Sequence, residues 1–270
     1  MTSTNADQSH DHNAAPRPSV TYDLSGTTVV VTGGNDGIGA ALARGAGLAG
    51  ASVAIWARND ARNQAMVASL RAEGIEGWSV VCDVASEADV ERAMSATLER
   101  FGGVDSLFAN AGIADFAPYV DTPLADWQRV LRTNLDGSFL TTRAAARHMI
   151  DSGSGSIVVV SSMVARYGAA RQAAYAVTKT GLVGLGRTLA VELARYGIRV
   201  NILVPGWTIT AMNESLRADP RFMKAATARI PVRRWAAADD YLAIAPFLAH
   251  TGLTYHTGNE VVVDGAYSVF

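Results

Sequence analysis

The sequence predicts an α/β fold in one domain, with a doubly wound and mostly parallel sheet of seven strands. Short β-branched segments alternate with longer helical segments from Thr28 onward. The strand segments are almost continuously apolar, which is typical of strands that are buried on both faces. Alternation of this kind gives right-handed βαβ units, and no linker interrupts it, so one domain is expected.

The first half of the chain supplies four of the strands. They are short runs rich in Val, Ile, Ala and Trp, and the segments between them are long enough for helices. The predicted strands cover 27–32, 52–57, 78–84 and 104–110, and the predicted helices cover 37–50, 59–73 and 86–101.

The second half supplies three more strands and longer helices. The predicted strands cover 156–162, 198–204 and 260–265, and the predicted helices cover about 123–150, 173–196 and 239–249. The segment 207–235 breaks the alternation.

Composition excludes several classes of protein. Apolar types make up 49% of the 270 residues, which is enough for a sizeable core. The 23 basic and 25 acidic residues leave a net charge of −2, which offers no basic field for nucleic acid. The single cysteine, Cys82, excludes a disulfide framework and a multi-cysteine zinc site.

The N-terminal residues 1–19 are polar, without periodicity, and predict a disordered tail. They contain no apolar stretch of the kind found in a secretory signal. No apolar run approaches the roughly 20 residues that cross a bilayer. We therefore expect a cytoplasmic protein with no membrane partner.

A glycine-rich turn, TGGNDGIG at 32–39, lies between the first strand and the first helix. In this context Gly33 permits a tight turn, Gly37 lets the backbone approach a pyrophosphate, and Gly39 lets the helix pack closely on the sheet. The N-terminus of the helix offers unpaired N–H groups to phosphate. The alternative is a structural turn that binds nothing, but the strand–turn–helix context favours a dinucleotide site.

Tyr175 and Lys179 are four residues apart on a predicted helix, so they share one face. A phenol has a pKa of about 10, and a nearby ammonium is expected to lower it. Tyr175 would then exchange a proton with an alcohol or carbonyl oxygen. Ser162 ends a strand at the edge where ligands bind and would hydrogen-bond the same oxygen. Ser161 is the competing hydroxyl, which strand alternation directs to the opposite face.

These motifs resemble the one-domain branch of the short-chain dehydrogenase/reductase family over residues of about 24–268. Any one match is weak, but the matches occur in the family's order. Ala109 and Ala266 depart from the family's usual NNAG and VDGG. The matching segments are TGGNDGIG (32–39), CDV (82–84), ANAG (109–112), TNLDG with Asn134, VVSS with Ser162, YAVTK (175–179), PGWTIT (205–210) and VVVDGA (261–266).

The resemblance implies a Rossmann-fold dehydrogenase domain over 20–270 and a homo-oligomer, either a tetramer or a dimer. It implies a catalytic set of Asn134, Ser162, Tyr175 and Lys179, in which Asn134 supports a water that relays protons through Lys179. No metal is expected. Cofactor contacts are implied at Gly33, Asn35, Asp36, Gly37, Ile38, Gly39, Arg58, Asp83, Val84, Asn110, Ala111, Gly112, Tyr175, Lys179, Pro205, Gly206, Thr208 and Thr210.

The choice of nicotinamide cofactor depends on the end of the second strand. An acidic residue there normally binds the ribose 2′-hydroxyl of NAD, but this chain has Ala57 at that place. Arg58 follows and would pair with a 2′-phosphate. NADP(H) is therefore favoured, and NAD(H) remains possible because Asp36 stands where NADP enzymes of the family often carry a base.

The resemblance implies that the segment 207–235 is a lid over the substrate. This segment is rich in apolar side chains, which either face the substrate or pack on one another. They are Trp207, Met212, Leu216, Phe222, Met223, Ile230 and Trp235. Met163, Val164, Tyr167 and Gln172 are also expected near the pocket. Arg166 and Arg171 would either clamp an acidic substrate or remain solvated.

The predicted function is an NAD(P)-dependent alcohol dehydrogenase or ketoreductase that acts on a hydrophobic or aromatic ketone. Two alternatives stay open. One is a polyol, sugar or 3-oxoacyl dehydrogenase of the same family, and the other is a nucleotide-sensing protein without catalysis. The joint presence of Ser162, Tyr175 and Lys179 favours an enzyme.

Overall fold

A seven-stranded parallel sheet with the strand order β3-β2-β1-β4-β5-β6-β7 forms the centre of the molecule. The structure, a computed structural model, describes residues 22–270, and the tail predicted for 1–19 lies outside them. The order reverses between β1 and β4, because the chain returns to the other side of β1 after β3. Ligands of open α/β sheets bind at such a switch point, beyond the carboxyl ends of the strands.

All seven predicted strands are confirmed, with some ends shifted. The strands are β1 (Thr28–Thr32), β2 (Ser52–Ala57), β3 (Gly77–Val81), β4 (Ser106–Ala109), β5 (Gly155–Val160), β6 (Ile198–Pro205) and β7 (Glu260–Val263). The third, fourth, fifth and seventh strands end earlier than predicted. The residues that follow β3, β4 and β5 form turns that line the cavity described below. Cys82, Asp83, Ser161 and Ser162 are therefore in loops and not in strands.

Nine α-helices connect or cover these strands in residues 22–270. They are α1 (Gly37–Leu48), α2 (Asp60–Ala72), α3 (Glu87–Phe101), α4 (Leu124–Leu131), α5 (Gly137–Ser152), α6 (Ala173–Leu193), α7 (Glu214–Arg217), α8 (Pro220–Ala228) and α9 (Ile244–Ala249). No helix of these residues is long and apolar enough to cross a membrane.

Two helix predictions need correction. The single helix predicted over 123–150 is interrupted by a π-helical turn, Arg132–Asp136, between α4 and α5. The helix predicted over 239–249 is a 3₁₀ turn, Ala238–Tyr241, followed by the short α9. Such π turns insert one extra residue and occur often at functional sites.

The core consists of two apolar layers, one on each face of the sheet. Val29 and Val31 of β1 point into one layer with residues of α1, α2 and α9, whereas Val30 points into the other with residues of α3, α5 and α6. All three valines are fully buried. This is the two-sided burial that the continuous apolar strands predict.

Candidate active site

One cavity of about 630 Å³ lies beyond the carboxyl ends of β1, β4, β5 and β6. Every residue proposed above for catalysis or cofactor contact lines it, with the exception of Asn134. Its size is within the range of ligand pockets. The structure therefore brings all of these residues except Asn134 to one cavity, and their roles stay predictions.

The glycine-rich turn forms one wall of the cavity. Gly33 and Gly37 have φ values of +63° and +53°, which side chains other than glycine rarely tolerate. Asp36 caps α1 by accepting a hydrogen bond from the Gly37 nitrogen at 2.7 Å. A Cβ atom on Gly37 would lie 3.0 Å from Thr210 Cγ2. No side chain therefore covers the backbone at Gly33 and Gly37, where the N-terminus of α1 faces the cavity.

Asn110 joins this turn to the end of β4. Its Nδ2 donates to the Thr32 carbonyl oxygen at 2.9 Å, and its backbone nitrogen donates to Thr32 Oγ1 at 2.9 Å. Ala111 N donates to the same hydroxyl at 3.0 Å. The two strands on either side of the switch point are therefore held together by a side chain that the family motif places there.

The ends of β2 and β3 bound the part of the cavity where the resemblance puts adenosine. Arg58 is exposed and lines the cavity as predicted, together with Asp83 and Val84. Arg62, which sequence reasoning missed, also lines it and lies 3.4 Å from the Asp36 carboxylate. The spacing of Arg58 and Arg62 across the first turn of α2 was the available signal.

A second missed residue, Asn63, connects the glycine turn to β2. Asn35 Nδ2 donates to Asn63 Oδ1 at 2.7 Å, and Asn63 Nδ2 donates to the Ala57 carbonyl oxygen at 2.9 Å. Asn63 is fully buried. This pair holds the turn in register with the strand that precedes Arg58.

Ser162 and Tyr175 lie together on the opposite wall. The Ser162 hydroxyl is close enough to the Tyr175 phenol to favour its ionised form, and it accepts a hydrogen bond from Val164 N at 3.3 Å. Ser161 Oγ instead donates to the Lys179 carbonyl oxygen at 2.7 Å. The structure therefore places Ser162, and not Ser161, beside the tyrosine, as the sequence predicts.

Lys179 does not act on Tyr175 as expected. Its Nζ donates to the Val160 carbonyl oxygen at 2.8 Å and lies 5.5 Å from the centre of the Tyr175 ring. The pKa of Tyr175 is raised and not lowered, because burial disfavours the phenolate more than the hydrogen bond from Ser162 favours it. Burial also lowers the pKa of Lys179 to about 8.

Asn134 lies behind the cavity wall, in the π-helical turn. Its Oδ1 accepts from Ile113 N at 2.8 Å, and its Nδ2 donates to the Ile113 carbonyl oxygen at 2.9 Å and to Thr178 Oγ1 at 3.0 Å. The amide thus fastens the loop after β4 to α6 and makes no hydrogen bond to Lys179 within residues 22–270. A part in proton relay stays a prediction.

The segment after β6 closes the nicotinamide end implied by the resemblance. A Cβ on Gly206 would lie 2.6 Å from Asp264 Cα, so only glycine fits between β6 and the end of β7. Thr208 Oγ1 lies 2.8 Å from the Tyr241 hydroxyl and 3.1 Å from the Gly206 carbonyl oxygen. Thr208 is 3% exposed, so its hydroxyl holds the segment in place.

The apolar lid residues mostly pack on one another. The Trp207 and Trp235 rings are 4.8 Å apart, and Phe222 stacks edge-on against Trp207 at 5.5 Å. Of the seven apolar residues predicted for the lid, only Trp207 and Met212 line the cavity. The apolar composition of 207–235 therefore does not indicate an apolar substrate.

Of the four other residues expected near the pocket, three line the cavity and one does not. Met163, Val164 and Gln172 line the cavity as predicted. Tyr167 does not line it, because its hydroxyl donates to the Ser268 carbonyl oxygen at 2.5 Å. The pocket beside the lid is thus partly polar.

Among α/β proteins, a glycine-rich turn that faces a Ser–Tyr–Lys group across one cavity is typical of nicotinamide-dependent oxidoreductases. A family model described as enoyl-(acyl carrier protein) reductase matches residues 33–268. The L-rhamnose 1-dehydrogenase (NAD(P)(+)) of Sphingomonas sp. (strain SKA58) is 38% identical over 248 residues, which are 91% of this chain and 98% of that protein. The chain belongs to the short-chain dehydrogenase/reductase family, as its motifs predict.

Two further relatives bear on substrate and cofactor. The D-threitol dehydrogenase of Mycolicibacterium smegmatis (strain ATCC 700084 / mc(2)155) is 35% identical over 253 residues, 93% of this chain and 97% of that one. A crystal structure of gluconate 5-dehydrogenase from Burkholderia cenocepacia J2315 in complex with NADP and tartrate has a TM-score of 0.88 at 35% identity, and the match covers 92% of this chain and 98% of that chain. These names agree with the predicted cofactor, and they favour the sugar or polyol alternative over a hydrophobic ketone.

Proposed function

We propose that this protein is an NADP-preferring dehydrogenase that interconverts an alcohol group of a sugar or polyol and the corresponding carbonyl group. The observation that carries the proposal is that Ser162, Tyr175 and Lys179 line the same cavity as the glycine turn. The names of the relatives support the substrate class.

The glycine turn fits a dinucleotide. Its left-handed glycines leave a backbone cradle that a Cβ would fill, and α1 begins at that cradle with its N–H groups. Gly33, Gly37 and Ile38 would hold the pyrophosphate, and Arg58 would pair with the 2′-phosphate of NADP. The residue that ends β2 is Ala57 and not a carboxylate, and the Asp36 carboxylate at the same end of the cavity lies 3.4 Å from Arg62.

The nicotinamide ring, when bound, supplies or accepts the hydride. The chain's own residues handle the oxygen and its proton. In the direction of oxidation the alcohol O–H bond breaks and its proton passes to Tyr175 in its phenolate form, while Ser162 orients the substrate oxygen by a hydrogen bond. In reduction Tyr175 returns the proton to the same oxygen.

The raised pKa of Tyr175 makes the reduction direction easier at neutral pH, because the phenol is then protonated and ready to donate. Lys179, with a pKa lowered to about 8, remains mostly protonated at neutral pH. Its ammonium is held by Val160 at the edge of the cavity, where it would contact the ribose of the bound cofactor.

A panel of sugars, polyols, secondary alcohols and ketones, assayed with NADP(H) and NAD(H) by the absorbance of the reduced nicotinamide, tests the proposal. Tyr175→Phe should remove turnover and leave NADPH binding nearly unchanged, because it deletes only the hydroxyl. A Phe variant with full activity would refute the role of Tyr175. Binding of NADPH by the wild-type protein without turnover of any class would favour a nucleotide sensor.

A further inference from the structure

Gln172 is a buried polar side chain that the mechanism does not use. It is 7% exposed, and it lines the cavity beside Ser162 and Tyr175. Its amide makes no hydrogen bond with any residue of 22–270, and it does not cap α6. The amide atoms are nevertheless not sealed in the protein interior, since they are absent from the fully enclosed polar atoms of these residues. A buried amide without a protein partner is costly unless something else satisfies it.

The backbone directs Gln172 toward the cavity at the cost of an unusual conformation. The preceding residue, Arg171, has φ +65°, in the left-handed region that few non-glycine residues adopt. Its guanidinium donates to the Phe116 carbonyl oxygen at 3.1 Å, which fastens this position to the loop after β4. The Gln172 carbonyl oxygen accepts from Ala176 N at 2.8 Å and begins α6. Conformations of this kind persist where the surroundings hold them, often at binding sites.

The position of Gln172 relative to the reacting group is also defined. It is the residue before α6 and precedes Tyr175 by three residues, and the two side chains line the same cavity. The Tyr175 and Ser162 hydroxyls mark where the reacting oxygen would sit. From this position the Gln172 amide would meet a second oxygen, on a neighbouring carbon of the same substrate.

The charges that line the cavity decide between neutral and acidic substrates. Four of them, in the glycine turn and after β2 and β3, lie at the adenosine end. At the substrate end, Arg129 Nη2 donates to both Asp115 oxygens at 2.8 and 2.7 Å and lies 3.4 Å from Asp126. Lys179 is bound to Val160. The charged residues lining the cavity are Asp36, Arg58, Arg62, Asp83, Arg129 and Lys179.

The two arginines considered as clamps for an acidic substrate are also engaged elsewhere. Arg166 forms an ion pair with Glu260 at 2.7 Å, and Arg171 holds the loop after β4. Neither of them lines the cavity. Within residues 22–270, neither of these arginines offers its charge to a substrate carboxylate, and the remaining cation beside Tyr175, Lys179, is the one that would contact the cofactor ribose. A substrate hydroxyl, in contrast, would find the unpaired amide of Gln172.

We propose that Gln172 binds a hydroxyl group adjacent to the reacting carbon, and that the substrate is an uncharged polyhydroxylated molecule and not a sugar acid. This inference rests on the proposed dehydrogenase function and narrows it. The amide can donate to or accept from a hydroxyl, so it satisfies itself in the complex. A site built to hydrogen-bond a substrate hydroxyl discriminates strongly against an analogue that lacks it.

A matched pair of alcohols tests the contact. 2,3-Butanediol and 2-butanol differ only by the hydroxyl next to the reacting carbon. Wild-type kcat/KM should favour the diol by tenfold or more. Gln172→Met keeps the side chain's length and removes the amide, so it should bring the ratio close to one by lowering kcat/KM for the diol much more than kcat/KM for 2-butanol. Gln172→Glu, which keeps an acceptor oxygen, should retain part of the preference.

Two controls accompany this test. Gln128→Met changes the same residue type at an exposed position on α4 outside the cavity, and it should keep the wild-type ratio. NADPH binding, measured by its fluorescence, should be equal in all variants and shows that each one is folded. Glucitol and gluconate, compared in the wild-type protein, test the charge, and glucitol should have the higher kcat/KM.

The outcomes separate the two proposals. An unchanged diol preference in Gln172→Met overturns the role of Gln172, and a preference for gluconate overturns the neutral substrate class, while both leave the dehydrogenase function standing. If the wild-type protein binds NADPH but oxidises none of these alcohols and no sugar or polyol of the panel, the proposed function fails and this inference fails with it.

Discussion

Replacement of Gly39 by alanine tests how closely α1 must approach the sheet. An added Cβ would lie 2.5 Å from Asn110 Nδ2 and closer still to the Gly33 carbonyl oxygen. Ordinary contacts are about 3.5 Å, so the turn and Asn110 must move by roughly 1 Å. Asn110 holds Thr32, and Gly33 begins the cradle, so the phosphate-binding backbone moves with them. Strain of this kind costs about 1–3 kcal/mol, which outweighs the gain in helix propensity of about 1 kcal/mol.

The expected result has two parts. Loss of well-placed hydrogen bonds to a charged phosphate, each worth about 1.5–3 kcal/mol, should weaken NADPH binding at least tenfold. Urea denaturation should show a less stable protein. Gly184→Ala is the matched control, because this glycine lies in α6 with open space around it, and alanine there should stabilise the protein by about 0.5–1 kcal/mol. Wild-type NADPH affinity in Gly39→Ala would refute the proposed cradle.

Three other perturbations follow from the structure. Arg58→Ala should raise the KM for NADPH by about tenfold or more and change the KM for NADH little, because only NADPH carries the 2′-phosphate; equal changes would contradict the assignment. Since the pKa of Tyr175 is raised, kcat/KM for oxidation should climb steadily from neutral into alkaline pH as the phenolate forms, and a plateau near neutral pH would count against this. Arg199 is 1% exposed and donates to the Ser156 hydroxyl and to several backbone carbonyls. Arg199→Met should therefore lower the free energy of unfolding, measured in urea, by roughly 3 kcal/mol. The control Arg195→Met, at an exposed position, should change it by less than about 1 kcal/mol.

The sheet and the glycine turn could be predicted because their signals are local. Gly33 and Gly37 stand between an apolar strand and a helix, and positive φ at those places is what glycine uniquely permits. The π-helical turn around Asn134 could not be predicted. It depends on hydrogen bonds to Ile113 and Thr178, which are distant along the chain and meet Asn134 only in the folded protein.

The grouping of Ser162, Tyr175 and Lys179 at one cavity could be predicted, but the electrostatics of these candidate catalytic residues could not. The spacing of Tyr175 and Lys179 shows that they share a helix face, and they do. The spacing does not show which acceptor the Lys179 ammonium binds. The Lys179 Nζ donates to the Val160 carbonyl oxygen at the end of β5, and the spacing of residues on a helix gives no information about that strand. The pKa of Tyr175 is raised, because the effect of burial is larger than the effect of Ser162. The sign of the pKa shift depends on that choice.

Substrate class follows from which atoms face the cavity, and composition alone does not reveal them. The apolar residues of 207–235 suggested an apolar substrate, yet Phe222 and Trp235 turn inward and stack on Trp207. Nothing in the sequence around Gln172 marks it as a binding residue. In the structure its amide lines the cavity and has no hydrogen-bond partner among residues 22–270. The motifs shared with the family build the cofactor end of the cavity. Selectivity at the other end depends on side chains such as Gln172, which the tertiary structure orients.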